Sequence, residues 1–380
     1  MVQPHRTTVP AAAGAIIACL IGAGFASGQE VLQFFTVYGP VRGALGGLLA
    51  AALLGTGCEL LLAAGRGGQR DAFACCGPLA GRLLAWAAPA LLFGVYVVML
   101  AGAGALVQTG LGLPPLAGRA AMLAATLVTA LAGLGRMTRI LGRAGPLIVA
   151  FVLAAGAGAL IQAPGERPWP ALPPPPARSW WMSALVYAGY NLYLLAPFLA
   201  ALGSRLSPGA GRPAAWLGCG VFGGALVLLH LAFCRVPGVL SDTAPAVALV
   251  RQLWPWAAAL ALPVLLAGVY TTAAPLLFSV CRGLPGGRWG IAAVAAVGFA
   301  CSGLPFGRLV AGLYPLIGWF GLTLAAGAAL EWLRAVWGGS PARLTNPGRR
   351  ATMPPGNPPT NHNKKDDATY DCYADHEPRH

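Results

Sequence analysis

The segment Ile21-Gly-Ala-Gly-Phe-Ala-Ser-Gly-Gln-Glu30, IGAGFASGQE, interrupts an apolar N-terminal run. Three glycines, a serine, a glutamine and a glutamate stand where a bilayer-spanning helix is ordinarily uniform. Backbone N–H and C=O groups freed in lipid are costly unless protein, water or a ligand satisfies them. A break of this kind is therefore expected where a helix lines a cavity.

The surrounding composition supports a bilayer. Of 380 residues, 57% are hydrophobic and 9% charged, against about 25% charged in an ordinary soluble protein. Mean hydropathy is +0.67. The net charge of +14 comes from arginines scattered singly between apolar runs. They form no basic face, so nucleic acid is not an expected partner and the lipid bilayer is. The nine cysteines show no zinc-finger spacing and read as small embedded hydrophobes.

A spanning helix needs about 20 apolar residues. Ten stretches qualify, at about 11–37, 43–64, 84–110, 117–134, 145–162, 180–202, 214–234, 256–281, 289–304 and 309–334. The first is too long for one straight span, so a break or strong tilt is expected. With the N-terminus inside, eleven arginines precede the tail on the inner side and seven lie outside, which places both termini in the cytoplasm of a bacterial inner membrane. A polyproline loop at Pro173–Pro176 divides the spans into five and five, about 11–162 and 180–334. Five helices per half forces the second half to enter from the opposite side, the arithmetic of an inverted repeat. The membrane domain ends near 338. Residues 339–380, rich in proline, asparagine, aspartate and histidine, read as a disordered cytoplasmic tail. Nothing in the sequence selects an oligomeric state.

Helix 6 opens the second half as helix 1 opens the first. It reads Val186-Tyr-Ala-Gly-Tyr-Asn-Leu-Tyr193, with Pro197 beyond. Gly189, Tyr190 and Asn191 fall near its middle. Interruptions in the first helix of both halves point to a substrate site between them. The competing reading is packing: Gly24-xxx-Gly28 lets two helices approach closely.

GAGFASGQEVLQFF at 22–35 resembles the signature of the YkvI-like family of bacterial membrane proteins. YAGYNL at 187–192 and YTTA at 270–273 fall where that family carries its helix 6 and helix 8 motifs. The resemblance spans about residues 10–335. The family is similar to the amino acid–polyamine–organocation superfamily, which has the leucine-transporter (LeuT) fold. The resemblance implies an all-α integral membrane protein of ten helices in five-plus-five inverted repeats, with helices 1 and 6 discontinuous. It also implies a sodium site between the break in helix 1 and helix 8, drawn from carbonyls near Ala23 and Phe25 and the hydroxyls of Thr271 and Thr272. The alternative is that both threonines bond back to their own helix.

The candidate substrate site comprises Gly22, Gly24, Phe25, Ala26, Ser27, Gly28, Tyr96, Gly189, Tyr190 and Asn191. Amides freed near Ala26 to Gly28 would hold an anionic group, and Phe25 would stack on or gate an apolar side chain. Tyr187 and Tyr193 read as interfacial anchors. Glu30 and His230 are candidates for proton or cation coupling. Glu59 reads as reaching the interface or pairing with Arg66. The function expected is sodium- or proton-coupled secondary transport of an amino acid or a related small amine or zwitterion. The alternative is a sensor or assembly protein that keeps the fold without transporting. No metalloprotease, nucleophile-elbow or paired-aspartate motif suggests an enzyme. No cofactor other than sodium is expected.

Overall fold

The computed structural model describes residues 7–66, 73, 78–162, 169–172, 174–242, 245–282, 287–303, 313, 317–324 and 326. Within them the chain is helical. The first span is in three pieces: α1 (Val9–Leu20), α2 (Ala23–Ser27) and α3 (Gln29–Phe34). Then follow α4 (Pro40–Arg66), α5 (Pro78–Leu111), α6 (Pro115–Leu131), α7 (Gly133–Gln162), α8 (Trp180–Gly203), α9 (Gly211–Arg235), α10 (Pro245–Leu253), α11 (Ala258–Cys281) and α12 (Gly287–Cys301). Proline opens α4, α5, α6 and α10, where its missing N–H costs nothing.

Among the described residues, six helices are long and apolar enough to cross a bilayer, and α1, α6 and α12 are shorter apolar helices. The outer surface is apolar too. Trp86, Trp256, Trp289 and Trp319 are at least 70% exposed, a surface that suits lipid rather than water.

Several expectations meet corrections. α8 runs unbroken from Trp180 to Gly203, carrying Pro197 inside it. The expected discontinuity of helix 6 is absent, because the polar side chains of Tyr190 and Asn191 are accommodated without opening the backbone. The fifth span begins at Gly133, not near 145. A left-handed glycine at 133 (φ 81°) turns the chain directly from α6 into α7. The amphipathic α10 lies in what reads as a loop. The tail at 339–380 and much of the tenth span lie outside the described residues.

α1 runs through the centre. Its residues from Ala12 to Leu20 are all buried, and it packs on α7, α8, α9 and α11. A Cβ at Gly14 would fall 2.5 Å from the Gly142 carbonyl, so the two backbones touch. The same device seats α4 on α8, where Gly65 meets the Ala200 backbone, and α8 on the helical segment 317–324. There a Cβ on Gly189 would lie 2.8 Å from the Gly321 carbonyl carbon. Small residues at such crossings replace hydrophobic drive with close van der Waals contact. Hydroxyl pairs add polar ties across helices: Tyr96 to Thr126 at 3.1 Å and Thr129 to Tyr270 at 2.6 Å.

Candidate functional site

The chain leaves helical geometry after Leu20. Ile21 still donates its N–H to Ile17, but Gly22 is extended (φ −77°, ψ −176°) before α2 begins. A helix end leaves its final carbonyls, and the next helix its first amides, without intrahelical partners. Five residues later a second break follows at Gly28, in the left-handed region at φ 85°. Its amide caps α2 by donating to the Phe25 carbonyl at 2.9 Å.

Beside the first break lies a small cavity of about 20 Å³, room for about one water. Three elements besides the broken span line it. Cys19, Leu20, Gly22 and Glu30 come from the broken span. Val95 and Met99 come from α5, Tyr190, Asn191, Leu194 and Leu195 from α8, and Thr272 and Leu276 from α11. Gly22 packs closely on α11: a Cβ there would sit 3.1 Å from Thr272 Oγ1. Glu30 reaches the cavity by folding back over Gly24, whose missing side chain makes the space. Its carboxyl faces the hydroxyls of Tyr190 and Tyr187.

Asn191 is anchored by its own helix. Nδ2 donates to the Tyr187 carbonyl at 2.9 Å. The amide assignment is forced, since a carbonyl can only accept. Thr271 and Thr272 both donate to the Gly268 carbonyl, at 3.0 and 3.3 Å. This is the own-helix bonding that stood as the alternative to a sodium site, and it leaves Thr272 Oγ1 beside Gly22. Pro275 has no N–H, so the Thr271 carbonyl loses its helical donor as well. The described geometry fits a hard cation in part. Thr272 lines the cavity, Thr271 is buried behind it, and the Phe25 carbonyl is already engaged by Gly28.

The structure places other candidates elsewhere. The Phe25 ring is fully buried against Phe222, centroids 4.8 Å apart, where it pins α2 to α9 rather than meeting a substrate. Ser27 donates to the Gly24 carbonyl at 3.0 Å and serves the local turn. A Cβ on Gly28 would lie 2.5 Å from the Phe233 ring and 2.9 Å from the Ala246 backbone, so this glycine seats α10. Freed amides open α2 at Ala23 to Phe25, not at Ala26 to Gly28. The side chains of Ala23 and Ala26 lie outside the described residues. Tyr96 turns away to Thr126, and Gly189 is a packing contact with Gly321.

His230 is remote from the cavity. Its Nε2 lies 2.8 Å from the Pro40 carbonyl and its Nδ1 3.1 Å from Thr36 Oγ1. Pro40 can only accept, so Nε2 carries a proton. The ring sits where a Cβ on Gly43 would be, a staple of α9 to the start of α4. Glu59 accepts from Trp216 Nε1 at 2.8 Å and lies 3.9 Å from Arg212, not paired with Arg66.

Tyr187 and Tyr193 are not interfacial anchors. Both are fully buried. Tyr193 donates to the Leu84 carbonyl at 3.0 Å. Tyr187 stands edge-on to Phe34, Phe35 and Tyr190, at centroid distances of 5.3, 4.9 and 5.4 Å. Its hydroxyl lies near the Glu30 carboxyl but outside hydrogen-bonding geometry. Its spacing of three from Tyr190 was the available signal, since residues three apart share a helix face. The apolar lining from α5 and α11 carries no such signal.

The sequence is 24% identical over 321 residues to the uncharacterized membrane protein YkvI of Bacillus subtilis (strain 168), covering 80% of this chain and 91% of that protein. The chain is similar to YkvI along most of its length. No protein-family model matches it. Among solved structures, a Na+-coupled sialic acid symporter in a substrate-bound outward-open state has a TM-score of 0.61 at 11% identity, covering 86% of this chain and 79% of that one. MhsT in complex with L-phenylalanine has 0.56 at 15%, covering 88% and 90%. A manganese transporter of Eremococcus coleocola has 0.53 at 13%, covering 91% and 82%. These likenesses establish an all-helical fold of the LeuT type in a multi-pass membrane protein.

Proposed function

We propose that this protein is a secondary active transporter working by alternating access around the cavity between the break in the first span and α8. One observation carries the reading. Polar groups from separate helices, Glu30, Tyr190, Asn191 and Thr272, meet at a helix break deep in an apolar bundle. Buried polar groups are costly and are retained where they bind something. The fold likeness to transporters supports the same reading, although fold alone does not fix function.

The substrate class is an amino acid or a related small amine or zwitterion, and the coupling ion is sodium or a proton. Sodium would draw on Thr272 Oγ1 beside Gly22 and on the Thr271 hydroxyl of the same helix, with the last carbonyls of α1 across the break. A proton would use Glu30. The ten spans form two inverted sets of five, with both termini in the cytoplasm of the bacterial inner membrane.

The test is uptake into proteoliposomes carrying purified protein. A panel of radiolabelled amino acids and amines is offered under an inward sodium gradient and, separately, an inward proton gradient. Accumulation above protein-free vesicles that collapses with the gradient supports the proposal. Absence of gradient-dependent accumulation for the whole panel overturns it.

A further inference from the structure

We infer that the cavity selects its ligand by a positively charged ammonium group, and that Glu30 is the residue which does so. This rests on the transporter reading for its physiological meaning, and the binding site itself stands on the polarity of the cavity wall. That wall sets a carboxyl and several acceptor oxygens together, with no cationic side chain among its described residues. Glu30 supplies a carboxyl. Asn191 commits one N–H to the Tyr187 carbonyl and keeps its side-chain oxygen to accept, with its second N–H remaining. Thr272 has spent its proton on Gly268, which leaves its oxygen lone pairs. The carbonyl end of α1 adds partial negative charge at Cys19 and Leu20. Tyr190, able to donate or accept, is the adaptable member. Among the described residues, no lysine, arginine or histidine lines the cavity.

Such a wall discriminates by charge. A carboxylate entering it meets the Glu30 carboxyl and no compensating cation among the described residues. An ammonium group brings three donors to the acceptors of the wall and a positive charge that favours the ionised form of Glu30. Size agrees: about 20 Å³ holds a group the size of water, an ammonium head and not a whole amino acid. Met99, Leu194, Leu195 and Leu276 make the rest of the wall apolar, so the favoured ligand is a primary amine with an apolar body.

The experiment compares three probes of one shape, L-leucinamide, L-leucine and 4-methylpentanoate, which differ in charge. Binding to the full-length purified protein is measured by calorimetry and by thermal shift, with sodium or potassium present, for wild type, Glu30→Gln and Glu30→Asp. The expected order is leucinamide tightest, leucine weaker and 4-methylpentanoate absent. Glu30→Gln weakens leucinamide by about 30-fold or more, and Glu30→Asp recovers part of the loss. A monodisperse Glu30→Gln protein with unchanged circular dichroism separates lost recognition from lost fold. Binding of 4-methylpentanoate as tight as leucinamide, equal leucinamide affinity in Glu30→Gln, or no response to leucinamide in wild type overturns the inference. So does a Glu30-dependent shift produced by sodium alone. The two readings fail separately. Leucinamide bound through Glu30 but not moved across vesicles sinks transport and keeps the ammonium site. Uptake of acids lacking an amine, unchanged in Glu30→Gln, does the reverse.

Discussion

The Glu30 side chain occupies the space above Gly24 that a Cβ would fill: Cγ and Cδ lie 2.5 and 2.7 Å from where that carbon would be. Glycine at 24 is therefore a condition for where the carboxyl points, as well as for the local backbone. Gly24→Ala is expected to drive the Glu30 carboxyl out of the cavity. Binding of leucinamide should fall about tenfold or more, in keeping with loss of a buried charge partner. The double variant with Glu30→Gln should be no worse than either single one, because both remove the same contact. Calorimetry on the three proteins checks this. An additive double variant would show that the two residues act separately.

Tyr187 carries a buried hydroxyl with no hydrogen bond. Removing an unsatisfied buried polar group is close to neutral or stabilising. Tyr187→Phe is expected to leave the melting temperature of the empty protein unchanged or raised, by about 1 kcal/mol at most. A fall of several degrees in a detergent melt would place a partner on that hydroxyl.

His230 is held at both ring nitrogens, by Pro40 and Thr36. His230→Ala leaves the Pro40 carbonyl without its donor and opens a void beneath Gly43. The expected cost is about 2–4 kcal/mol, seen as a lower melting temperature, with the gradient dependence of any uptake unchanged. If stability holds and proton-driven uptake disappears, His230 is a coupling group and not a staple.

Thr272 stands beside Gly22 with its hydroxyl on the Gly268 carbonyl. Should sodium be the coupling ion, Thr272→Ala raises the sodium concentration needed for half-maximal uptake about tenfold, while Thr272→Ser keeps the oxygen and stays near wild type. Sodium dependence untouched in Thr272→Ala removes this residue from any sodium site.

Gly321 and Gly189 meet backbone to backbone, and a Cβ on Gly321 falls against the Gly189 carbonyl carbon. Gly321→Ala cannot be absorbed by a side-chain rotation. It is expected to cost about 1–3 kcal/mol, the usual range for overpacking, and to lower the yield of monodisperse protein. Wild-type stability in that variant would mean that the segment 317–324 is not seated there.

Sequence alone determined that this chain lives in a bilayer, because apolar runs too long for any soluble core leave no other solvent for them. It also located the break in the first span, since three glycines, a serine and two polar side chains in lipid admit few explanations. Tyr190, Asn191, Thr272 and Glu30 were legible for the same reason: polar groups stand out against an apolar background. Tertiary structure decided which of those groups meet. Only packing turns Tyr96 towards Thr126 and Phe25 against Phe222, away from the cavity, because the rotation of a helix is set by its neighbours. Only packing brings Tyr187 beside Glu30, and it keeps α8 continuous where polar residues had suggested a gap. The fold-back of Glu30 over Gly24 is likewise invisible in one dimension. It depends on a left-handed Gly28 held between Phe233 and α10, a contact between residues some two hundred positions apart.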